Sequence, residues 1–185
     1  MLEDIYSDLR SRMDKTLKAL ERDYQKFRTG RATPAILEGL SANYYGTATP
    51  LSQMASISVP DPRTLLLQPW DQSILPEIEK SILKSDLGLT PQNDGKVIRI
   101  NIPVLSAERR KELKKLVNKT GEEAKIALRT VRRDANEQIK ELKNSKEISE
   151  DQQAKAETQV QKITNEFVSK VDQVSAAKEK EIMEF

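Results

Sequence analysis

The sequence predicts an α+β protein, a long three-helix bundle interrupted by a small inserted α/β domain. Three observations predict it. Apolar residues recur every three or four positions from Leu2 to Phe27 and again from Leu113 to Ile182. Between those stretches the period drops to two, in Ala55-Ser-Ile-Ser-Val59 and Ile98-Arg-Ile-Asn-Ile102. A composition of 32% charged and only 4% aromatic residues suits helical rods better than a thick globular core.

The first helix is expected over residues 2–29, where Leu2, Ile5, Leu9, Met13, Leu17, Leu20, Tyr24 and Phe27 share a face and Gly30 supplies a stop. Asn43-Tyr-Tyr45 before Gly46 reads as a strand edge. The alternation at residues 55–59 gives a further strand. Residues 64–68, with Leu65, Leu66 and Leu67 in a row after Pro60-Asp-Pro62, suit a strand covered on both faces. A short helix over residues 73–85 follows from Leu75, Ile78 and Ile82, with Ser73 as N-cap and Pro76 in the first turn, where its missing donor costs little. Gly88 follows its end, and Asp94-Gly95 turns the chain into the strand at Ile98. The insert therefore spans residues 31–105. Its Tyr44, Tyr45 and Trp70 are assigned to core or interface, with no exposed aromatic series for base stacking.

Helical patterning resumes with Ser106 as N-cap and runs to residue 144. Its seam is Leu113, Val117, Thr120, Ala124, Leu128, Val131, Ala135 and Leu142. Ser149-Glu-Asp-Gln152 opens the last helix as a capping box, and Ala156, Val160, Ile163, Phe167, Val171, Val174 and Ile182 form its seam. A single stripe cannot be buried alone, so residues 1–30 and 106–185 are expected to pack as a bundle about 40 to 60 Å long. Two short connections then join insert and bundle at one place. Such a double crossing restricts translation but permits rotation, which makes Thr29, Gly30, Arg31, Val104, Leu105 and Ser106 a hinge.

Composition excludes much chemistry. The chain has no His and no Cys, so imidazole or thiolate metal sites, disulfides, Cys nucleophiles and Ser-His-Asp hydrolysis are ruled out. Neither G-x-G-x-x-G nor G-x-x-x-x-G-K-[ST] occurs. No catalytic residue, metal site or cofactor is expected. The N-terminus is acidic where a targeting signal would be basic, and no apolar run approaches a membrane span. A cytoplasmic protein without a membrane partner is expected.

Charge singles out one helix. Residues 106–133 hold ten Lys/Arg against four Asp/Glu, whereas residues 134–185 hold eight against twelve. At about 100° per residue, Lys111, Lys114, Lys115, Lys125, Arg129, Arg132 and Arg133 gather roughly 120° round from the seam. From Lys111 to Arg133 this stripe runs about 33 Å, long enough to meet several phosphates. The insert carries six basic and seven acidic residues, so electrostatics assigns a polyanion to the bundle. On these grounds alone two other classes stay open: a structural coiled-coil or spacer protein with a basic RNA-binding face, and an enzyme using carboxylates or Lys in the insert.

Six blocks carry a resemblance. Arg28-Thr-Gly-Arg-Ala32 with Pro34, Tyr44-Tyr-Gly46 with Thr49-Pro-Leu51, Ser85-Asp-Leu-Gly-Leu89, Glu108-Arg-Arg-Lys111, Val131-Arg-Arg-Asp-Ala135 and Glu147-Ile-Ser-Glu-Asp151 stand in the order of the bacterial ribosome recycling factors, which the whole chain resembles. The resemblance implies an L-shaped molecule with a β/α/β sandwich as its short arm. It also implies a non-enzymatic translation factor that disassembles the post-termination ribosome with elongation factor G and GTP, releasing subunits, mRNA and deacylated tRNA. The implied partners are elongation factor G and the large subunit with its 23S rRNA, the factor being a monomer in solution. The contacts it implies are Arg110, Arg129, Arg132 and Arg133, with Arg28 and Arg31 as further candidates; Lys111 and Lys125 supply general attraction. For Arg28 and Arg31, interaction with the C-terminal end of the first helix is an equal alternative. Two departures, Leu105-Ser-Ala-Glu108 for Thr-Glu-Glu and Arg129-Thr130 for Arg-Asn, remove no arginine.

Overall fold

The computed structural model describes residues 1–185. In chain order its helices are α1 (Leu2–Gln25), the one-turn α2 (Leu51–Met54), α3 (Leu75–Lys84), α4 (Ala107–Asn144) and α5 (Glu150–Glu184). Its strands are β1 (Ser41–Tyr44), β2 (Thr47–Pro50), β3 (Ala55–Asp61), β4 (Thr64–Pro69), β5 (Pro91–Asn93) and β6 (Ile98–Asn101). The chain divides into two compact units, Met1–Phe27 with Lys111–Lys180, and Arg28–Arg110 with Glu181–Phe185.

The first unit is the helical bundle. Leu9, Met13, Leu17, Leu20 and Tyr24 of α1 are buried, as are Leu113, Val117, Ala124, Leu128, Val131, Ala135 and Ile139 of α4, and Ala156, Val160, Ile163, Phe167 and Val171 of α5. Three stripes thus satisfy one another within one chain. The α4 seam differs from the expected one at two places: Gly121 and Ile139 are buried, while Thr120 and Leu142 are half-buried. Gly121 leaves room for a polar group in the core. The Tyr24 hydroxyl lies 2.9 Å from the Val117 carbonyl, to which it donates, and 2.8 Å from Ser175 Oγ. A Cβ at position 121 would stand 2.9 Å from Ser175 Oγ and 3.0 Å from Tyr24 Oη.

The N-caps of α4 and α5 form from local sequence. Ser106 Oγ accepts from the Arg109 amide at 3.1 Å. At α5 the box is reciprocal, Ser149 N donating to Gln152 Oε1 at 2.9 Å and Gln152 N to Ser149 Oγ at 3.1 Å. α1 ends four residues earlier than its periodicity predicts. Its last turn tightens, Lys26 N and Phe27 N donating to the carbonyls of Asp23 and Tyr24, and the chain leaves the helix before Gly30.

The second unit holds two sheets. β1 and β2 form an antiparallel hairpin, and the other four strands pair antiparallel in the order β3-β4-β6-β5. Leu65 and Leu67 of β4, Ile98 and Ile100 of β6, and Ile78 and Ile82 of α3 are fully buried in one core. The helix at residues 73–85 is resolved differently. Asp71, not Ser73, is the cap: its Oδ1 accepts from Ser73 N at 2.9 Å and Ser73 Oγ at 2.7 Å, opening a 3-10 turn at Gln72–Ile74 before α3. A carboxylate with two acceptor oxygens takes the cap from a neighbouring hydroxyl. Tyr45 and Trp70 are 76% and 72% exposed and Tyr44 is at the surface too, so of the two places expected for these rings, core or interface, the core is ruled out.

Candidate nucleic-acid interface

The basic stripe lies on one uninterrupted α-helix, so its spacing is fixed by backbone hydrogen bonding rather than by loops. Ser106 sets where that helix begins and Leu113, Val117, Leu128 and Val131 set which face turns inward. Different faces of the same element therefore do two jobs. The seam packs, and the side chains that cannot pack carry the charge.

The eight candidate RNA-binding residues fall into two groups. Lys111, Arg129 and Arg133 are exposed. Arg132 is half-buried, and its Nη1 donates to Gln161 Oε1 on α5 at 3.2 Å, a neutral partner that orients the guanidinium without cancelling its charge. Arg129, Arg132 and Arg133 sit within about one turn of each other, three planar donors in a fixed fork geometry. Beside them Arg132, Arg133, Asn136, Glu137, Lys140 and Glu157 line a shallow pocket, in which Asn136 Oδ1 is buried without a hydrogen-bond partner.

The other group is held by the protein itself. Lys125 Nζ stands 2.6 Å from Asp172 Oδ1 and 3.5 Å from Glu122 Oε1, and the bond to Asp172 raises its pKa above the ordinary lysine value. Arg110 Nη1 donates to the Met183 carbonyl at 2.8 Å and Nη2 to that of Phe185 at 3.2 Å. Arg28 Nη1 donates to the Leu87 carbonyl at 3.0 Å, and the Arg31 guanidinium lies 5.8 Å from the centroid of the Phe185 ring. None of these bonds joins Arg28 or Arg31 to the C-terminal end of α1.

The expected hinge residues have defined neighbours. Thr29 is buried and donates to Glu181 Oε1 at 2.9 Å. Gly30 has φ +81, and a Cβ there would meet the Phe185 carbonyl group at 3.1 Å and Leu105 Cγ at 3.6 Å. Val104 is exposed and Ser106 is the α4 cap.

Sequence reading passes over Gln161, Asn136 and Lys140. Lys140 and Asn136 lie on α4 beyond the stripe, and no periodic signal on α5 marks Gln161 as the partner of Arg132. No three Asp or Glu side chains converge as a metal site. No helix is long and apolar enough to cross a membrane.

A family model described as ribosome recycling factor matches residues 20–183. The ribosome-recycling factor of Syntrophobacter fumaroxidans is 59% identical over 184 residues, covering 100% of both chains. That of Nitratidesulfovibrio vulgaris is 56% identical over 99% of this chain and 98% of its own. Among solved structures, a solution structure of the ribosome recycling factor matches with a TM-score of 0.75 at 40% identity, covering 100% of this chain and 98% of that one. A second, titled as models for the T. thermophilus ribosome recycling factor and the E. coli elongation factor G bound to the E. coli post-termination complex, matches with a TM-score of 0.66 at 47% identity over 98% of each chain. Helical bundle, small sheet unit and sequence identity along the chain agree, and the chain belongs to the ribosome recycling factor family.

Proposed function

We propose that this chain disassembles the post-termination ribosome together with elongation factor G and GTP, releasing subunits, mRNA and deacylated tRNA. The bundle, residues 1–30 and 106–185, is the arm that binds large-subunit 23S rRNA, and the hinged insert, residues 31–105, is the part that elongation factor G moves. One observation carries the binding half: Arg129 and Arg133 stand exposed beside the oriented Arg132 on the outer face of α4. Guanidinium groups at that spacing meet phosphates as charge-assisted donors and position the protein on RNA without reading its sequence. The need for a motor follows from thermodynamics. A factor that only binds shifts the subunit equilibrium by no more than its differential affinity for the two states. The neighbouring structure titled as a recycling factor with elongation factor G on a post-termination complex supports the pairing. Seams buried within one chain support a monomer in solution. A ribosomal target sets its place of action in the cytoplasm.

The test is subunit splitting of post-termination ribosomes, followed by light scattering. Splitting that needs the chain, elongation factor G and GTP together is the expected result. Splitting by elongation factor G and GTP at the same rate without the chain overturns the proposal.

A further inference from the structure

Of the two most exposed aromatic rings in the chain, one bonds the Asp71 carboxylate and the other belongs to the residue just before it. Tyr45 occupies the turn between β1 and β2 at φ 48, a conformation that non-glycine residues rarely adopt. Its ring meets that of Tyr44 edge-on, with centroids 4.6 Å apart, and its hydroxyl donates to Asp71 Oδ2 at 2.9 Å. Trp70 precedes Asp71 at the end of β4. Its amide is fixed to the Met54 carbonyl at 3.1 Å while the indole stays outside. Burial does not explain either ring, and the fold holds the Tyr45 ring in place by its hydroxyl.

The strands that lead into the rings are uncharged. No charged residue occurs between Glu38 and Asp61 or between Arg63 and Asp71, so β1, β2, α2 and β4 carry none. Asp71 is the charge that the Tyr45 hydroxyl bonds. Its bonds from Ser73 and Tyr45 hold its pKa below the ordinary 3.8, so it is ionised at neutral pH. A carboxylate offers about four acceptor positions. Ser73 N, Ser73 Oγ and Tyr45 Oη use three, two on Oδ1 and one on Oδ2, which leaves one on Oδ2. A fixed anion bonded to one exposed ring and next in the chain to another complements a cation and repels a phosphate backbone.

We propose that Tyr45, Trp70 and Asp71 form a docking site for an arginine or lysine presented by a partner protein. The cation lies against an aromatic face and donates to the open position on Asp71 Oδ2. This surface does not depend on the rRNA contacts proposed for α4.

Trp70 is the only tryptophan, so emission excited selectively at tryptophan reports this site alone. The full chain is titrated with an acetylated (Gly-Arg)4 peptide and, separately, with a single-stranded RNA octamer. The peptide shifts Trp70 emission saturably, and the RNA does not. Asp71→Asn keeps an acceptor for Ser73 N but removes the charge, and raises the peptide Kd about three- to tenfold. Trp70→Ala, at an exposed ring, raises it about threefold by calorimetry with unchanged circular dichroism. An absent peptide response, an unchanged Kd in Asp71→Asn or Trp70→Ala, or a saturable response to the RNA overturns the proposal.

Discussion

Arg110 donates from Nη1 to the backbone carbonyl of Met183 at 2.8 Å, a residue 73 positions later in the chain. The same guanidinium reaches the Phe185 carbonyl at 3.2 Å, while Thr29 holds Glu181 and Arg31 faces the Phe185 ring. Carbonyls at a helix C-terminus lack intrahelical partners, and a cation there also complements the helix dipole. Arg110 therefore has a structural task whether or not it also meets RNA.

Arg110→Ala is expected to destabilise the C-terminal turn of α5 by about 1 to 3 kcal/mol through loss of two charge-assisted bonds. Amide exchange at residues 183–185 speeds up. Arg110→Lys does not restore protection, because one ammonium cannot span both carbonyls. Unchanged exchange in Arg110→Ala would show that the guanidinium is not what holds them.

Arg133→Ala and Lys125→Ala should separate RNA binding from internal pairing. Arg133 is exposed, and giving up its bond to one phosphate reduces the magnitude of the log-log salt slope of ribosome binding by about 0.7 to 0.9. Lys125 is already committed to Asp172, so its removal leaves the slope unchanged. Filter binding of both variants from about 50 to about 200 mM salt measures this. Equal slopes for wild type and Arg133→Ala take Arg133 out of the interface.

How much of the fold and the site is legible in the sequence depends on how local each feature is. The Ser149 and Gln152 box and the Ser106 cap are readable because donor and acceptor are three residues apart. The strands at β3 and β6 are readable because alternation is a property of the strand itself. Lys125 looks like a free member of the stripe because its partner, Asp172, lies on another helix. Gly121 yields to Thr120 in the seam pattern because a glycine has no apolar side chain to mark it. Trp70 could be assigned only to core or interface, because nothing in its neighbours along the chain decides between the two.

Gly121→Ala gains helix propensity of about 1 kcal/mol yet is expected to destabilise the bundle by a net of about 1 to 2 kcal/mol. The new methyl meets Ser175 Oγ and Tyr24 Oη at 3.0 Å or less. Ser175→Ala removes the closer of those atoms, so Gly121→Ala with Ser175→Ala is more stable than the two single effects add up to. Urea melts of the four proteins measure the coupling. Strict additivity would mean that the two sites do not touch.

Acid should act first on turns of the sheet unit. Asp61, Asp71 and Asp94 all have pKa values held below the ordinary 3.8, Asp61 chiefly by the Arg63 amide, Asp71 by Ser73, and Asp94 by the amides of Val97 and Lys96. A carboxyl with a lowered folded pKa contributes stability that is present above the unfolded value and lost as pH falls through the folded one. The unit is therefore expected to lose stability as pH drops below 3.8, with all three side chains titrating at lower pH than an unstructured aspartate. Carboxyl-carbon NMR titration assigns each midpoint. Asp94→Asn keeps one acceptor for the two amides but loses the charge, so its stability falls less steeply over the same acid range. An Asp94 midpoint at or above 3.8 would detach the turn bonds from the pH response.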